Sequence, residues 1–498
     1  MIEKILLWID YGFLNYGVSK YLKKEFELYA IIDGINSTDN FFKNQKLIHF
    51  NKIWYFDSSI KSKNVDLIYL KEIEKSYKIN IWEIIYSDRY FYSKFNKYHT
   101  FDHDEILSLI ENECKFFNEI LIKLKPKYVI MNTITHHYQQ LFYKICLALG
   151  ITVLTLEPTR FGNNWIVLKG SIYDWKPEDN SITSDTKSFK SFNEIQNFMK
   201  SNPPAKFYLE KPELIYDQLK WKKLKAFFSF FFLQSIDNKR YSRIGRTKFN
   251  IIFKGTAIAH KIIRKKRELF LEKNLIKKID TDIPFLYYSL HLEPERVLLL
   301  GAKYLTNQIS VIENIAKSLP VGYKLVVKEH PFQYQQGWRP IQFYKDILNL
   351  PNVILVHPSI KSDELIKKSS LVISIRGTTS LEATIFGKPS IVLQADIGHT
   401  LIPTIQVLKN WEELPQLIKK SLEIKCDPSN ISSYFSFIQK NSFNFPNELY
   451  SSELSNYFHY NVGFSKQYEI NDEKMLKFLE QFDDLFHQLS KELIKKMC

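Results

Sequence analysis

Short apolar runs alternate with stretches of helical periodicity in two separate series along this chain. The first series covers about the first 200 residues, and the second begins with the run at residue 285. Such runs suit strands buried in a parallel sheet, while the periodic stretches suit the helices that connect them. The pattern therefore predicts an α/β protein with two Rossmann-like domains. The length of 498 residues agrees, because a single hydrophobic core rarely serves so long a chain.

Nine of the apolar runs are predicted to be strands. In the first series they are KILLWID (4–10), ELYAIID (27–33), KYVIMNT (127–133) and ITVLTLE (151–157), and in the second FLYYSL (285–290), YKLVVKEHP (323–331), NVILVHP (352–358), LVISI (371–375) and SIVLQ (390–394). The predicted organisation is an N-terminal domain over residues 1–204, a basic helical connecting segment over 205–283, a C-terminal domain over 284–425 and a helical segment over 426–498. The last segment shows no sheet pattern.

The overall composition is that of a folded protein, since 45% of residues are hydrophobic and 25% are charged. No apolar run approaches the roughly 20 residues that cross a bilayer. The N-terminal stretch MIEKILLWID lacks a cleavage site and is predicted to be a strand. The four cysteines are scattered, without the CxxC spacing of a zinc site. These features predict a cytoplasmic protein without a metal ion.

The net charge of +15 is concentrated in one part of the chain. Between Ile215 and Asp280 there are 18 lysines and arginines and 5 acidic residues, interleaved with aromatic patches such as AFFSFFFL. Helices of this composition lie in the headgroup layer of anionic membranes, so we expect peripheral attachment to the inner face of the cytoplasmic membrane through residues 215–280. Two alternatives stay open: the lysine-rich composition of an AT-rich genome, and packing of the aromatic residues between the two domains.

The second series delivers polar side chains to the carboxyl ends of four predicted strands, where open α/β sheets bind their ligands. These residues are His291, the stretch Lys328-Glu329-His330-Pro331, His357-Pro358, and Arg376 with the turn Gly377, Thr378, Thr379 and Ser380. The turn passes directly into a helical pattern, and backbone N–H groups at such helix starts often hold a phosphate. Cationic and imidazole groups beside a helix N-terminus predict an anion site at this edge.

Thr379 and Glu382 have the spacing of a capping box, which would explain both residues without a ligand. A glutamate one turn into the helix is also able to accept hydrogen bonds from ribose hydroxyls, and the two interpretations are compatible. Other motifs fail, because the chain has no P-loop, no GxGxxG after a strand, no GxSxG and no HExxH. Asp280 and Asp282 are a candidate metal-binding pair, but they fall at the domain junction.

Three stretches closely resemble the capsule polysaccharide biosynthesis family of bacterial glycosyltransferases: FLYYSLHLEPER, VVKEHPFQ and FYKDILNLPNVILVHPSIKSDELIKKSSLVISIRGTTSLEATIFGKPSIVL. Better-known members transfer Kdo from a CMP-activated donor. The resemblance covers residues 285–394, and ITVLTLEPTRFGNNWIV is more faintly similar to the family's N-terminal domain. Bacterial sialyltransferases are similar in placing a His-Pro pair and a hydroxyl cluster around CMP. The resemblance implies the GT-B fold: two facing Rossmann-like domains, the donor on the C-terminal one, the acceptor on the N-terminal one and no obligatory metal.

The resemblance implies transfer of a sugar, such as Kdo or sialic acid on CMP, to a glycan or glycolipid acceptor during surface polysaccharide synthesis. The expected donor-binding residues are Lys328, His330, Pro331, Arg376, Gly377, Thr378, Thr379, Ser380 and Glu382. The expected catalytic residues are Glu157, His330 and His291. The candidates for the general base of an inverting transfer are Asp10, Glu157, His136 and His137, at the ends of N-terminal strands. Glu157 is preferred because it precedes Pro158 at the end of a buried strand.

Two other functions account for part of the pattern. A CDP-alcohol phosphotransferase of the teichoic-acid type has a similar His-Pro pair, but usually carries an acidic residue and paired serines where this chain has IRGTTS. A non-enzymatic basic protein that binds nucleic acid or anionic lipid explains the charge of residues 215–280, but gives the strand-end residues no purpose. We therefore expect a nucleotide-sugar partner and no nucleic-acid partner.

Overall fold

The chain folds into two large sheets with helices packed on both faces, as the sequence predicts. The computed structural model describes residues 2–34, 36–57, 64–92, 94–96, 99–159, 161–174, 189–201, 257–279, 282–396, 398–462 and 465–497. The strands are β1 Lys4–Asp10, β2 Glu27–Asp33, β3 Lys52–Tyr55, β4 Tyr128–Met131, β5 Thr152–Pro158, β6 Asn164–Lys169, β7 Phe285–Ser289, β8 Lys324–Lys328, β9 Val353–Val356, β10 Leu371–Ser374, β11 Ser390–Val392, β12 Ile405–Val407, β13 Ser442–Asn444, β14 His459–Val462 and β15 Ser465–Tyr468.

The helices alternate with these strands through both halves of the chain. They are α1 Leu14–Leu22, α2 Asn36–Asn44, α3 Leu67–Tyr77, α4 Ile81–Ile85, α5 His103–Leu124, α6 His137–Ala148, α7 Phe192–Ser201, α8 Ala257–Asn274, α9 Arg296–Leu299, α10 Gln308–Lys317, α11 Ile341–Leu348, α12 Ser362–Lys368, α13 Thr379–Ile385, α14 Leu414–Leu422, α15 Ser432–Asn441, α16 Asn447–Phe458, α17 Asp472–Gln481 and α18 Asp483–Met497. None of the described helices combines the length and the hydropathy that crossing a bilayer requires.

The N-terminal sheet has seven strands in the order β13-β6-β5-β4-β1-β2-β3. Strands β5, β4, β1, β2 and β3 are parallel; at one edge β6 pairs antiparallel with β5, and β13 pairs antiparallel with β6. The strands are apolar on both sides, so each face of the sheet is covered by helices. Along β1, for example, Ile5, Leu7 and Ile9 enter one core while Leu6 and Trp8 enter the other.

The C-terminal sheet has six parallel strands in the order β12-β11-β10-β7-β8-β9. The strand order reverses at β7, whose neighbours are β8 on one side and β10 on the other. Ligands of open α/β sheets bind outside the carboxyl ends of the strands at such a reversal. The predicted strand-end residues of β7, β8 and β10 therefore meet at the topological switch point of this sheet.

The carboxyl edges of the two sheets face each other. Arg296, on α9 of the C-terminal domain, lies 3.5 Å from the carboxylate of Glu157 at the end of β5. Lys94 of the N-terminal domain forms an ion pair of 2.8 Å with Glu293, which follows β7. Two Rossmann-like domains with facing carboxyl edges form the GT-B arrangement, so the fold class predicted from the sequence is confirmed.

The C-terminal segment returns to the N-terminal domain. Phe478 and Phe486, on α17 and α18, are fully buried in the same core as Ile5 of β1. Strand β13 joins the edge of the N-terminal sheet, although the sequence beyond residue 425 shows no sheet pattern. The three residues of β13 are too few to display a period, which is why the sequence does not indicate this strand.

Only part of the basic connecting segment is described. Residues 202–256 lie outside the described chain, and with them most of the predicted membrane-binding stretch. Helix α8 is described and packs on the C-terminal domain. The Arg267 guanidinium donates to the backbone oxygens of Gly337 at 3.1 Å and Trp338 at 2.7 Å. The Asp280 half of the candidate metal pair is also outside the described residues.

Candidate active site

Five side chains of the predicted anion site, with Ser289, converge at the switch point of the C-terminal sheet. We call them the strand-end cluster, which consists of Ser289, Lys328, His330, Thr378, Thr379 and Glu382. The hydroxyls of Ser289 and Thr379 lie 2.9 Å apart, which joins the end of β7 to the start of α13. The Thr378 hydroxyl donates to Glu382 Oε1 at 3.1 Å. The order of the strands therefore brings together residues that are up to 93 positions apart in the chain.

Lys328 supplies the cation of this cluster. Its side chain is buried, and its ammonium group donates to the Ser362 hydroxyl at the start of α12 over 3.0 Å. Burial lowers the pKa of Lys328, although the carboxylates of Glu382 and Asp363 oppose that effect. An ammonium group has three N–H donors, and among the described residues Ser362 accepts one. The remaining donors suit an anionic ligand.

His330 is held as a neutral hydrogen-bond donor. Its Nδ1 accepts a hydrogen bond from the backbone N–H of Phe332 at 3.2 Å, so the ring proton is on Nε2. Burial, with the charges of Arg339 and Lys328, lowers the pKa of His330 to about 4. The imidazole is therefore neutral at physiological pH, and its Nε2–H is able to donate to a phosphate oxygen.

The turn before α13 differs from the predicted capping box. The helix begins at Thr379, and Thr378 is its N-cap residue with helical backbone angles. The Thr379 hydroxyl pairs with Ser289, and the Glu382 carboxylate accepts from Thr378. The Thr379-to-Glu382 capping box is thus wrong, because Thr379 has a tertiary partner on β7 and Glu382 has a local partner in the N-cap residue. Gly377 is needed for close packing, since an added Cβ would lie 3.2 Å from His291 Cε1.

Three predicted ligand-binding residues are bound to the protein itself. Arg376 is buried and donates to the backbone oxygens of Gly301 at 3.1 Å and Ile172 at 3.0 Å, with Asp396 at 3.2 Å. The Ser380 hydroxyl donates to Gly377 O at 2.9 Å. His291 Nε2 accepts from the backbone N–H of Arg376 at 3.3 Å. These contacts hold the turn from behind, and the predicted roles of Arg376 and Ser380 in donor binding and of His291 in catalysis stay predictions.

Pro331 starts the short 3₁₀ helix Pro331–Gln336, for which His330 is the N-cap residue. It is exposed and sets the direction of the chain after His330.

His357, at the end of β9, points away from the cluster. Its Nδ1 lies 2.7 Å from the Ser359 hydroxyl, and its Nε2 lies 3.3 Å from the Glu272 carboxylate on α8.

Glu157, the preferred general base, is fully buried between the domains. The Thr133 hydroxyl donates to its Oε2 at 3.1 Å, and Arg296 lies 3.5 Å from the same oxygen. Among the described residues, no hydrogen bond reaches its Oε1. Burial raises the pKa of Glu157, although Arg296 and Thr133 oppose that effect. A carboxyl group in this position ties the two domains together and has little access to a substrate hydroxyl.

Asp10 and His137 are held by neighbours within the N-terminal domain. Asp10 accepts from the backbone N–H of Gly12 at 2.9 Å and from Asn132 at 2.8 Å, and burial raises its pKa. His137 lies between Asp88 at 2.9 Å and Glu113 at 3.1 Å. Burial disfavours its cation, but the two carboxylates outweigh burial and raise the pKa of His137 to about 9.

His136 forms a carboxylate–imidazole pair at the edge of the N-terminal sheet. Its Nδ1 lies 3.3 Å from Asp88 Oδ2, and 20% of its side chain is exposed. The ring lies between Tyr90 and Tyr138, with centroid distances of 5.2 and 5.3 Å and interplanar angles of 12° and 14°. Burial favours the neutral form of Asp88, but His136 and His137 outweigh it and hold the pKa of Asp88 well below its usual range. The pair directs His136 Nδ1 toward Asp88, so Nε2 lies on the opposite side of the imidazole ring.

The sequence analysis does not identify Ser289, Ser362 or Asp88. Ser289 ends a strand and Ser362 starts a helix, and these positions are signals that could have identified them. Asp88 lies in a loop and has no motif around it, so only its spatial position reveals it. Within the described residues, no three His, Cys, Asp or Glu side chains are grouped so as to hold a metal ion.

Comparisons with known proteins give a limited picture. No protein-family profile matches the chain, and no curated protein sequence matches it significantly. Among solved structures, UDP-GlcNAc 2-epimerase of Methanocaldococcus jannaschii in complex with UDP-GlcNAc and UDP is 14% identical, covers 88% of this chain and 98% of its own, and has a TM-score of 0.28. The beta Kdo 2,7 transferase KpsC of Thermosulfurimonas dismutans is 12% identical, with coverages of 72% and 87% and a TM-score of 0.29.

A glycosyltransferase from Rickettsia africae is 12% identical, covers 91% of this chain and 97% of its own, and has a TM-score of 0.26. Identities and scores this low carry no argument about function. The fold assignment therefore rests on the strand order and on the facing edges of the two sheets in this chain.

Proposed function

We propose that this protein is a glycosyltransferase that moves a sugar from a nucleotide-activated donor to a glycan or glycolipid acceptor in surface polysaccharide synthesis. The observation that carries the proposal is the strand-end cluster. A buried ammonium and a neutral imidazole donor meet the start of α13 at the switch point of a parallel sheet. This set of donors suits a nucleotide phosphate that leaves as an anion.

The donor side of the reaction needs stabilisation of the departing phosphate. As the bond between the anomeric carbon and the phosphate oxygen breaks, negative charge accumulates on that oxygen. Lys328 offers a cation to this charge, and His330 offers its Nε2–H. These groups are fixed before the reaction by Ser362 and by the Phe332 backbone, so little reorganisation is required. The Glu382 carboxylate is placed to accept hydrogen bonds from the ribose hydroxyls.

The acceptor side needs a base for the attacking hydroxyl if the configuration inverts. We propose His136 for this role in place of Glu157, because His136 is partly exposed and is oriented by the Asp88 carboxylate. Its Nε2 takes the hydroxyl proton as the acceptor oxygen attacks the anomeric carbon, and Asp88 stabilises the resulting imidazolium. No step in this scheme requires a metal ion.

The proposed donor is a CMP-linked sugar such as Kdo or sialic acid, supported by the His330-Pro331 and Gly377–Ser380 motifs. Thermal-shift screening against CMP, CDP, UDP and GDP tests the nucleotide, because a ligand that binds only the folded state raises Tm. CMP should give the largest shift, and Lys328→Gln should abolish it. A larger shift with UDP would overturn the CMP assignment. With CMP-Kdo as donor the product must contain a glycosidic bond, whereas a new phosphodiester formed from a CDP-alcohol such as CDP-glycerol would indicate the phosphotransferase instead.

Helix α8 supports the proposed contact with an anionic membrane. Ile262 and Ile263 are exposed beside Lys265 and Lys266, so an apolar and basic surface faces outward. The change Lys265→Gln with Lys266→Gln should weaken sedimentation with anionic vesicles and leave the fold intact. Arg267 is unsuitable for this test because it bonds to the loop at Gly337. Equal binding to neutral and anionic vesicles would overturn the membrane proposal.

A further inference from the structure

A cavity of about 510 Å³ lies outside the strand-end cluster, between α7, α15, α18 and the antiparallel edge of the N-terminal sheet. Its volume is within the usual range for small-ligand sites. The contacts made by Arg376, Glu157 and the proposed reacting groups do not involve the residues that line it. The cavity therefore has no role in the transfer chemistry proposed above.

The floor of the cavity is aromatic. Phe161, Phe198 and Phe435 form a three-ring cluster, with centroid distances of 5.6 Å between Phe161 and Phe198, 5.0 Å between Phe161 and Phe435, and 5.3 Å between Phe198 and Phe435. Phe198 is half-buried, and the buried rings of Phe161 and Phe435 hold it in place, so it loses little freedom when a ligand binds. A rigid aromatic floor suits the apolar C–H face of a sugar ring.

The rim of the cavity is polar and uncharged. It carries four side-chain amides, which belong to Asn164, Gln439, Asn444 and Gln488. Each amide offers donors and an acceptor, as a sugar hydroxyl does. Although 25% of the chain is charged, none of the ten described residues that line the cavity carries a charge. An anionic ligand would find no cation here, and a lipid chain would cover the amides without hydrogen bonds.

The position of the rim connects the cavity with the facing edges of the sheets. Asn164 and Asn444 are paired across β6 and β13, so their side chains lie on the same face of the sheet. Strand β6 runs antiparallel to β5, with Trp165 opposite Pro158. Asn164 therefore lies at the edge where β5 ends, which is the edge that faces the C-terminal domain.

We propose that this cavity binds a neutral saccharide unit, with its ring against Phe198 and its hydroxyls on the amide rim. The inference goes beyond the proposed transfer reaction, because it requires no donor, base or nucleotide. In an enzyme that extends a glycan, the site would hold sugar units of the acceptor away from the reacting end.

Saturation-transfer NMR of the full chain with lactose, maltotriose and N,N′-diacetylchitobiose tests the proposal. At least one of these neutral probes should bind, and Gln439→Ala and Asn444→Ala should each weaken it about fivefold, as expected for one lost hydrogen bond. The double variant should weaken binding about twentyfold or more. Both positions are exposed, so the fold should tolerate the changes. Gln416→Ala, an exposed amide on α14, is the matched control and should bind as the wild type does.

Three results would overturn the inference: no binding of any neutral probe, equal binding by the double variant, or binding of only an anionic sugar or a detergent. The CMP-induced Tm shift, measured on the same samples, separates this inference from the proposed function. A normal CMP shift without saccharide binding contradicts the cavity alone. Saccharide binding without a response to any nucleotide contradicts the transferase proposal and leaves the cavity site standing.

Discussion

Polar residues follow the central strands of both sheets, but the two facing edges differ in what they offer a ligand. The C-terminal edge presents an ammonium on Lys328, a neutral N–H donor on His330 and threonine hydroxyls. The N-terminal edge presents carboxylates, with an imidazole held by one of them in the His136–Asp88 pair. One edge therefore suits a leaving anion, and the other suits removal of a proton. In the proposed reaction, this division places the donor on the C-terminal domain and the acceptor on the N-terminal domain.

Each edge also contains one strand-end residue that is unsuited to a ligand. Arg376 reaches Ile172 in the N-terminal domain, and Glu157 meets Arg296 in the C-terminal domain. Both are buried, and both connect the two domains. The comparison teaches that a charged residue at a strand end either serves a ligand or holds the domains together, and that burial by the opposite domain distinguishes the two.

Replacing His136 should have the largest effect on turnover. His136→Asn keeps a hydrogen-bond donor toward Asp88 but removes the base, so kcat should fall about a thousandfold while nucleotide binding is kept. Steady-state kinetics and a CMP-induced Tm shift measure the two quantities. His103→Asn, an exposed histidine on α5, is the control and should behave as the wild type does. If His136→Asn keeps the wild-type kcat, His136 is not the base, and the N-terminal edge loses its proposed proton acceptor.

Replacing His330 should reduce turnover about a hundredfold, because one fixed donor to the leaving phosphate is lost. Its pKa of about 4 keeps the ring neutral, so this contribution should not change between about pH 6 and 9. His357→Ala is the matched control, since that strand-end histidine contacts Ser359 and Glu272 instead. A His330→Ala protein that is folded and turns over normally would contradict the donor role of this edge.

Replacing Glu157 should affect stability more than chemistry. Glu157→Ala removes the contacts with Thr133 and Arg296 and leaves a cavity between the domains, so it should lower the free energy of unfolding by about 2 kcal/mol. The kcat of the folded protein should stay within a few-fold of the wild type. Urea unfolding and kinetics on the same preparation test both statements. If kcat instead falls about a thousandfold with unchanged stability, Glu157 is the base, and its assignment to a domain contact is wrong.

The smallest effect should be a pH dependence of nucleotide affinity. Burial lowers the pKa of Lys328, so its cation is lost at a lower pH than that of a surface lysine. CMP carries a constant charge above about pH 7, since its second phosphate pKa is about 6. Calorimetry from about pH 7 to 10 should show affinity falling up to about tenfold. Lys328→Arg should flatten the profile, and a flat wild-type profile would contradict the role of Lys328.

The sequence predicts best the elements that a local residue pattern marks. The runs KILLWID and ELYAIID coincide with β1 and β2, because an apolar run of strand length records burial on both faces. Lys328, His330 and the turn at Thr378 were placed at one edge because the carboxyl ends of parallel strands lie at the same edge of a sheet. Strands β3 Lys52–Tyr55 and β13 Ser442–Asn444 escape this reasoning because they lie at the two edges of the sheet and, among their residues, Phe443 alone is buried, so no apolar run marks them.

The sequence alone determined that two parallel sheets form and that cationic and hydroxyl side chains gather at the carboxyl edge of the second. Only the tertiary structure decided which of those side chains are held by distant parts of the chain. Arg376 and Lys328 are both cations at strand ends, yet Arg376 is satisfied by Ile172, which is 204 positions away in the chain. An apolar stripe or a charge shows that a residue needs a partner, but which partner it meets depends on how distant segments pack.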